Sequence, residues 1–254
     1  MTAAATRAGV RPMPALRALF VYALRTSLPA KRRVALLLPC AAAVMFGLIA
    51  RGLDGDPARD FARVAALALF GLVLPVTTLV VGDAVLGAEV RRGAFSFTWM
   101  SPVPTWQIVA ARWAAGTVVA GGALALSFAI AALVAGTPDS AAPAAVSVAF
   151  GAAAYVAIFM AIGCIAQRAA VWSMAYVFLI ERLLGAALSG PAQLSPTWES
   201  RAAFVGLADV QRSLERSGIP HGTGALIRLA MLAAVGLLVA ARRLPRMKMG
   251  GHAD

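Results

Sequence analysis

The sequence predicts an all-α integral membrane protein with six transmembrane helices, preceded by an N-terminal amphipathic interfacial helix. Composition gives the first two observations: 61% of the 254 residues are hydrophobic and only 13% are charged, about half the charged fraction of a soluble domain. The third observation is that the charged residues cluster between long apolar runs. Most of the protein surface is therefore predicted to face lipid.

Six apolar runs predict the individual spans. A transmembrane helix needs about 20 predominantly apolar residues, and the runs place spans at about 34–50, 64–82, 106–135, 144–166, 169–189 and 224–241. Pro75 is expected to kink the second span. A four-span count would leave the last two runs unexplained. The predicted transmembrane domain, 34–241, includes an outer loop at 190–223 and lies between basic tails at 1–33 and 242–254.

The distribution of basic residues predicts that both termini are cytoplasmic. With this orientation, fifteen of the twenty-three Lys and Arg residues and three of the eleven acids are inside, so the net charge of +12 lies there (15 − 3). Cytoplasmic enrichment in Lys and Arg is the usual rule, and anionic lipid headgroups would bind this surface. The chain has no Asn and only two Lys. We interpret this as the codon usage of a GC-rich bacterium, which suggests a bacterial plasma membrane.

The N-terminal region is predicted to contain the interfacial helix, over 14–28. Its apolar side chains share one face, while Arg17 and Arg25 lie off that face. The apolar set is Leu16, Leu19, Phe20, Ala23 and Leu24. Such a helix would lie in the cytoplasmic headgroup layer. The alternative is a disordered basic tail.

Motifs for catalysis, metal binding and nucleic-acid binding are missing from the sequence. No G-x-x-x-x-G-K-[ST] run is present, so the chain has no phosphate-binding loop for ATP hydrolysis. His221 and His252 are the only histidines, which is too few for a His-rich metal site. The arginines are not gathered on one face with aromatic residues between them, as nucleic-acid binding would require. We therefore predict no catalytic residue, metal ligand or cofactor in this chain, and no nucleic-acid partner.

Residues 83–105 connect the second and third spans on the predicted cytoplasmic side. Gly93 can end the helix that continues from the second span. A short aromatic element follows, with Arg91 and Arg92 before it and Pro102 after it; its members are Phe95, Phe97, Trp99 and Met100. An exposed apolar element of this kind can dock into a partner's groove. The alternative is an anchor at headgroup level, where Trp and Phe are common.

The same segment resembles the cytoplasmic loop of the type-2 ABC exporter permease family. Glu89 precedes Gly93 by four residues, and Pro102 and Val103 follow that glycine at the family's spacing; Trp106, Ile108 and Arg112 also fall at matching positions. Ala94, Pro104 and Thr105 depart from the pattern.

This resemblance implies a permease subunit without its own ATPase site. The segment would be a coupling helix that docks on an ATP-binding subunit, which would carry ATP and Mg. The implied docking residues are Glu89, Arg91, Arg92, Gly93, Phe95, Phe97, Trp99 and Pro102. A second permease copy or a paralogue would complete the membrane unit.

The fifth predicted span contains an adjacent charged pair, Glu181 and Arg182. Each charge at mid-membrane costs about 2.5 to 3.5 kcal/mol on insertion scales, and neighbouring helical residues point about 100° apart. Counting along the fifth and sixth spans places Glu181 and Arg228 at similar depth, about 20 Å from the cytoplasmic surface. We therefore predict a Glu181–Arg228 pair, acting as a structural lock or lining the translocation path. The alternative is that the helix ends near Leu179 and the charges lie in the outer interface.

Two other function classes stay open from the sequence. One is a secondary, ion-coupled transporter with Glu181 as the proton site. The other is a polytopic membrane enzyme or assembly factor. Association with an ATPase separates the exporter permease from both alternatives.

Overall fold

A computed structural model of the chain describes residues 12–27, 30–82, 103–166, 168–210 and 218–246. The described residues are all-helical, without strands. The helices, numbered in chain order, are α1 (Pro12–Ser27), α2 (Ala30–Arg51), α3 (Pro57–Gly82), α4 (Thr105–Val134), α5 (Ala141–Ile165), α6 (169–187), α7 (Ser189–Ala192), α8 (Pro196–Ala208) and α9 (Thr223–Arg243).

Four of these helices, α3, α4, α5 and α9, are long and apolar enough to cross a membrane. In α2 the apolar part, Leu37–Arg51, is shorter. α6 is not one regular helix, because a π-helical segment, Tyr176–Leu184, separates its first turns from its last. The predicted all-α membrane class agrees with these helices.

α5 is the central helix of the bundle. It packs against α3, α4, α8 and α9, and its side chains Val148, Ala152 and Tyr155 are fully buried. α9 approaches it closely: a Cβ added at Gly236 would lie 2.9 Å from the backbone of Ala157. Small residues at such positions allow two membrane helices to pack backbone to backbone.

Four aromatic rings join α3, α4 and α8 in the core. Phe70 lies 5.3 Å from Phe128 of α4 and 5.5 Å from Phe204 of α8, measured between ring centroids, and Phe61 lies 6.0 Å from Phe204. All four side chains are fully buried. Separations of this size are favourable for offset or edge-to-face ring pairs. α8 is therefore part of the core.

This packing corrects the prediction for residues 190–223. The sequence predicted an outer loop there, but the described part of this range contains α8, which packs against α5, α9 and α3. Ser195 caps α8 and Pro196 is at its first position, a favourable start for a helix. The apolar side chains Ala203, Phe204 and Val205 of this helix are then buried in the bundle.

α3 contains a second π-helical segment, Ala65–Val73, which ends just before Pro75. The N–H of Leu74 donates to the carbonyl of Leu69, five residues earlier. Proline has no N–H to donate to the carbonyl four residues before it, so regular α-helical hydrogen bonding is interrupted here. The hydroxyls of Thr77 and Thr78 donate to carbonyls one turn before them, which keeps these buried polar groups paired.

The N-terminal helix α1 packs against α4. Ala23, on the predicted apolar face, is buried, whereas Arg17 and Arg25 are exposed. The amphipathic pattern is therefore visible in the packing of α1. Its location in a headgroup layer stays a prediction.

Candidate functional site: a buried carboxylate where two helices meet

The chain reverses direction after α6. At Leu194 the chain again lies beside Tyr176, in the first half of α6. The hydroxyl of Tyr176 donates to the carbonyl of Leu194 at 2.8 Å. α8 then runs toward the start of α9, where the N–H of Gly222 donates to the carbonyl of Ala202 at 3.2 Å. The fifth predicted span, 169–189, therefore corresponds to α6, and α8 is a separate helix that follows it. α6 and α8 together connect the end of α5 with the start of α9.

Glu181, on α6, lies where this helix meets the start of α8. Its side chain is only 2% exposed, and three hydroxyl groups donate to its carboxylate. They come from Tyr155 of α5, from Ser195 at 2.9 Å and from Thr197 at 3.2 Å. The hydroxyls of Tyr155 and Thr197 also lie 2.6 Å apart. Tyr155 is near the middle of α5, so the cluster lies at mid-depth in the bundle.

The position of the cluster at the start of α8 explains how this carboxylate is buried with no basic partner among the described residues. Ser195 is the N-cap of α8; its oxygen accepts from the N–H of Trp198 at 3.4 Å while its hydroxyl donates to Glu181. The N-terminus of a helix carries a partial positive charge that stabilises a nearby anion.

The predicted Glu181–Arg228 pair is wrong. Arg228 instead contacts Glu199 of α8 at 3.3 Å and the carbonyl of Gly218 at 3.2 Å. Glu199 is fully buried, and its second oxygen, Oε2, has no hydrogen-bond partner among the described residues. Counting residues along the two spans did not predict the partner of Arg228. α8 lies beside α9 and places the carboxylate of Glu199 next to this arginine.

Arg182 points away from Glu181, toward α3. Its guanidinium donates to the carbonyl of Gly71, and the residue is exposed. Gly71 is the residue four before Pro75, so its carbonyl lacks the donor that an α-helix would supply there. The two adjacent charges thus have separate roles: Glu181 connects α6 to α5 and α8, while Arg182 connects α6 to α3.

The predicted docking residues lie outside the described residues. These are Glu89, Arg91, Arg92, Gly93, Phe95, Phe97, Trp99 and Pro102. Of the predicted intramembrane set, Glu181, Arg182 and Arg228 are all described. Within the described part of the chain, no group of three or more His, Cys, Asp or Glu residues could hold a metal ion.

Sequence reasoning missed Tyr155, Ser195, Thr197 and Glu199. The signal for three of them was present, because Ser-Pro followed by Thr-Trp-Glu is a good helix start. Tyr155 lies in an uninterrupted apolar run, where nothing in the sequence marks it as a partner of Glu181. No protein-family model matches the chain, and no curated protein matches it.

Proposed function

We propose that the chain is the membrane-spanning permease subunit of an ATP-driven exporter, using ATP hydrolysed by a separate subunit. The observation that carries the proposal is the segment between α3 and α4, which resembles the coupling loop of type-2 ABC exporter permeases. Glu89, Gly93 and Pro102 are at the family's spacing. In this proposal a second permease copy or paralogue completes the membrane unit.

Charge distribution supports the position of this segment in a six-crossing arrangement. α4 begins with Arg112 in its early turns, α6 follows Arg168 and α9 ends at Arg242 and Arg243. The opposite helix ends carry acids, including Asp56 before α3 and Asp139 before α5. By the positive-inside rule the arginine-rich end is cytoplasmic. Six crossings follow if α2 is the first and α6 with α8 is the fifth.

The proposed mechanism transmits force along α3 and α4. Closure of the ATP-binding subunits would push on residues 89–105, and these two helices flank that segment. α3 is joined to α8 by the buried contact of Phe61 and Phe70 with Phe204. It is also joined to α6 by the hydrogen bond of Arg182 to Gly71. Tilting α3 would therefore move both α6 and α8.

Co-purification with an ATPase tests the proposal. The chain is co-expressed with a P-loop ATPase encoded beside it, and the complex is isolated through a tag on the chain. Replacing Phe97 and Trp99 by Ala should lower the recovered ATPase at least about tenfold, since large buried aromatics dominate docking interfaces. Trp172→Ala is the matched control, because Trp172 is 60% exposed on α6 and lies outside the segment. Unchanged recovery with the double variant contradicts docking at this segment.

A second candidate, an ion-coupled carrier, is favoured by Glu181. Glu181 is 2% exposed at mid-depth, and in the described part of the chain its carboxylate is bonded to hydroxyls and not to a basic residue. A carboxylate of this type can exchange a proton. Proton uptake by vesicles containing only this chain, abolished by Glu181→Gln, would favour the carrier. Vesicles that need the ATPase and nucleotide for transport would favour the permease.

A further inference from the structure

Arg182 carries a charge that the described residues do not neutralise. Its polar contact there is the carbonyl of Gly71, and no acidic side chain of the described ranges lies within salt-bridge distance. Glu181, its neighbour, is directed to Tyr155, Ser195 and Thr197 instead. Gly71 is near the middle of the 26-residue helix α3, so the guanidinium is near mid-membrane. A cation at that depth is costly without an anionic partner.

The surface around Arg182 is apolar and open. Phe178, one turn earlier on α6, is 55% exposed, and Leu183, the next residue after Arg182, is 63% exposed. On α3, Leu67 and Val76 lie one turn before and after Gly71 and are 68% and 46% exposed. A single cation therefore lies in an apolar surface formed by two helices.

We propose that this surface binds a membrane-soluble amphiphile with one acidic headgroup, a carboxylate or a phosphate, as the exported substrate. The inference rests on the proposed permease function. Arg182 has five N–H donors in a planar fork that matches a carboxylate or phosphate, and one bond to Gly71 leaves donors for the ligand. The apolar chain of the amphiphile would lie along the exposed side chains of α3 and α6.

Gly71 sets the position of the guanidinium. A Cβ added there would lie 3.2 Å from Nη2 and 3.5 Å from Nη1 of Arg182. The arginine therefore lies directly on the glycine, and even Ala would shift it by a few tenths of an ångström. The same glycine supplies the carbonyl that holds the fork in place. Binding should consequently depend on both residues.

Equilibrium binding to the full chain in phosphatidylcholine nanodiscs tests the site. The probes are oleate and dodecyl phosphate, and oleyl alcohol is the neutral match for oleate. Arg182→Gln should weaken both anions about tenfold or more, as expected for losing a charge-assisted hydrogen bond, and leave the alcohol unchanged. Gly71→Ala should weaken the anions by a smaller factor. Arg63→Gln, at an exposed arginine of α3, is the control and should bind like the wild type.

Three results would overturn the proposal. Arg182→Gln could bind the anions as the wild type does, or the alcohol could lose as much affinity as the anions. If Arg182→Gln does not fold, a competition assay on the wild type decides. Oleyl alcohol and unlabelled oleate are each used to displace labelled oleate. Equal displacement by the two competitors would contradict a headgroup site. The assay needs no ATPase, so a negative result leaves the permease proposal standing. Conversely, failure to recover an ATPase partner leaves the binding result unaffected.

Discussion

Arg228→Met tests the contact between α8 and α9. Glu199 is fully buried, and Arg228 supplies its hydrogen bond, through Oε1 at 3.3 Å. Methionine keeps most of the length of the arginine side chain but removes the charge and the donors. The variant therefore leaves a buried carboxylate without either oxygen paired, because Oε2 has no partner among the described residues.

The magnitude follows from burial. Breaking a fully buried ion pair by removing one partner costs about 3 to 5 kcal/mol. The side chain of Arg228 is 33% exposed, so water already screens part of this interaction and the cost should fall below that range. We expect a loss of about 2 to 3 kcal/mol in the free energy of unfolding. Replacing both residues, with Glu199→Gln added, should recover most of this loss, since no buried charge is left unpaired.

The assay is unfolding of the purified protein in mixed micelles with increasing SDS, followed by circular dichroism. Wild type, both single variants and the double variant form a double-mutant cycle. A coupling energy of about 2 kcal/mol is expected. Arg228→Met within about 0.5 kcal/mol of the wild type, or additive effects in the double variant, would refute the assignment of Glu199 as the partner.

Other predictions concern the carboxylate cluster and helix packing, each measured as the free energy of unfolding. Tyr155→Phe removes one donor to Glu181 and should cost about 1 to 3 kcal/mol, as hydrogen bonds to charged groups do; no change would exclude the bond. Ser195→Ala removes both a donor to Glu181 and the cap of α8, so its cost should be at least as large. Gly236→Ala should destabilise by about 1 to 3 kcal/mol, because the added Cβ would lie 2.9 Å from the backbone of α5. Gly122→Ala is the control, because it has open space around it; it should be neutral or slightly stabilising, and equal effects at the two glycines would contradict the packing of α9.

Hydropathy was sufficient to predict the long helices. The runs that predicted the second, third, fourth and sixth spans correspond to α3, α4, α5 and α9, because about 20 consecutive apolar residues have few alternatives to a membrane helix. The fifth run, predicted at 169–189, corresponds to α6 at 169–187. Hydropathy did not show its π-helical segment or the reversal of the chain that follows α6.

Residue pairing at the site could not be predicted from depth alone. Counting residues along a helix gives the height of Glu181 and Arg228, but not the direction of either side chain or the presence of a third element. α8 supplies that element. Its N-cap, Ser195, donates to Glu181, and its Glu199 accepts from Arg228. Its helix start at Ser195 and Pro196 is visible in the sequence. Its burial is a tertiary effect that local patterns do not show.

The inward return of the chain at α8 has a consequence for mapping sidedness by cysteine labelling. A hydropathy map assigns residues 195–200 to an exposed connection and would predict reaction with a membrane-impermeant maleimide. Ser195, Glu199 and Ser200 are all 0% exposed, so cysteines at these positions should stay unlabelled. Asp54 and Asp139 are exposed, at the end of the bundle opposite the arginine-rich end. Cysteines at these two positions should react with the maleimide when it is added on that side of the membrane. A cysteine at position 199 that is not labelled would therefore indicate enclosure by neighbouring helices. It would not be evidence that this position lies on the opposite side of the bilayer.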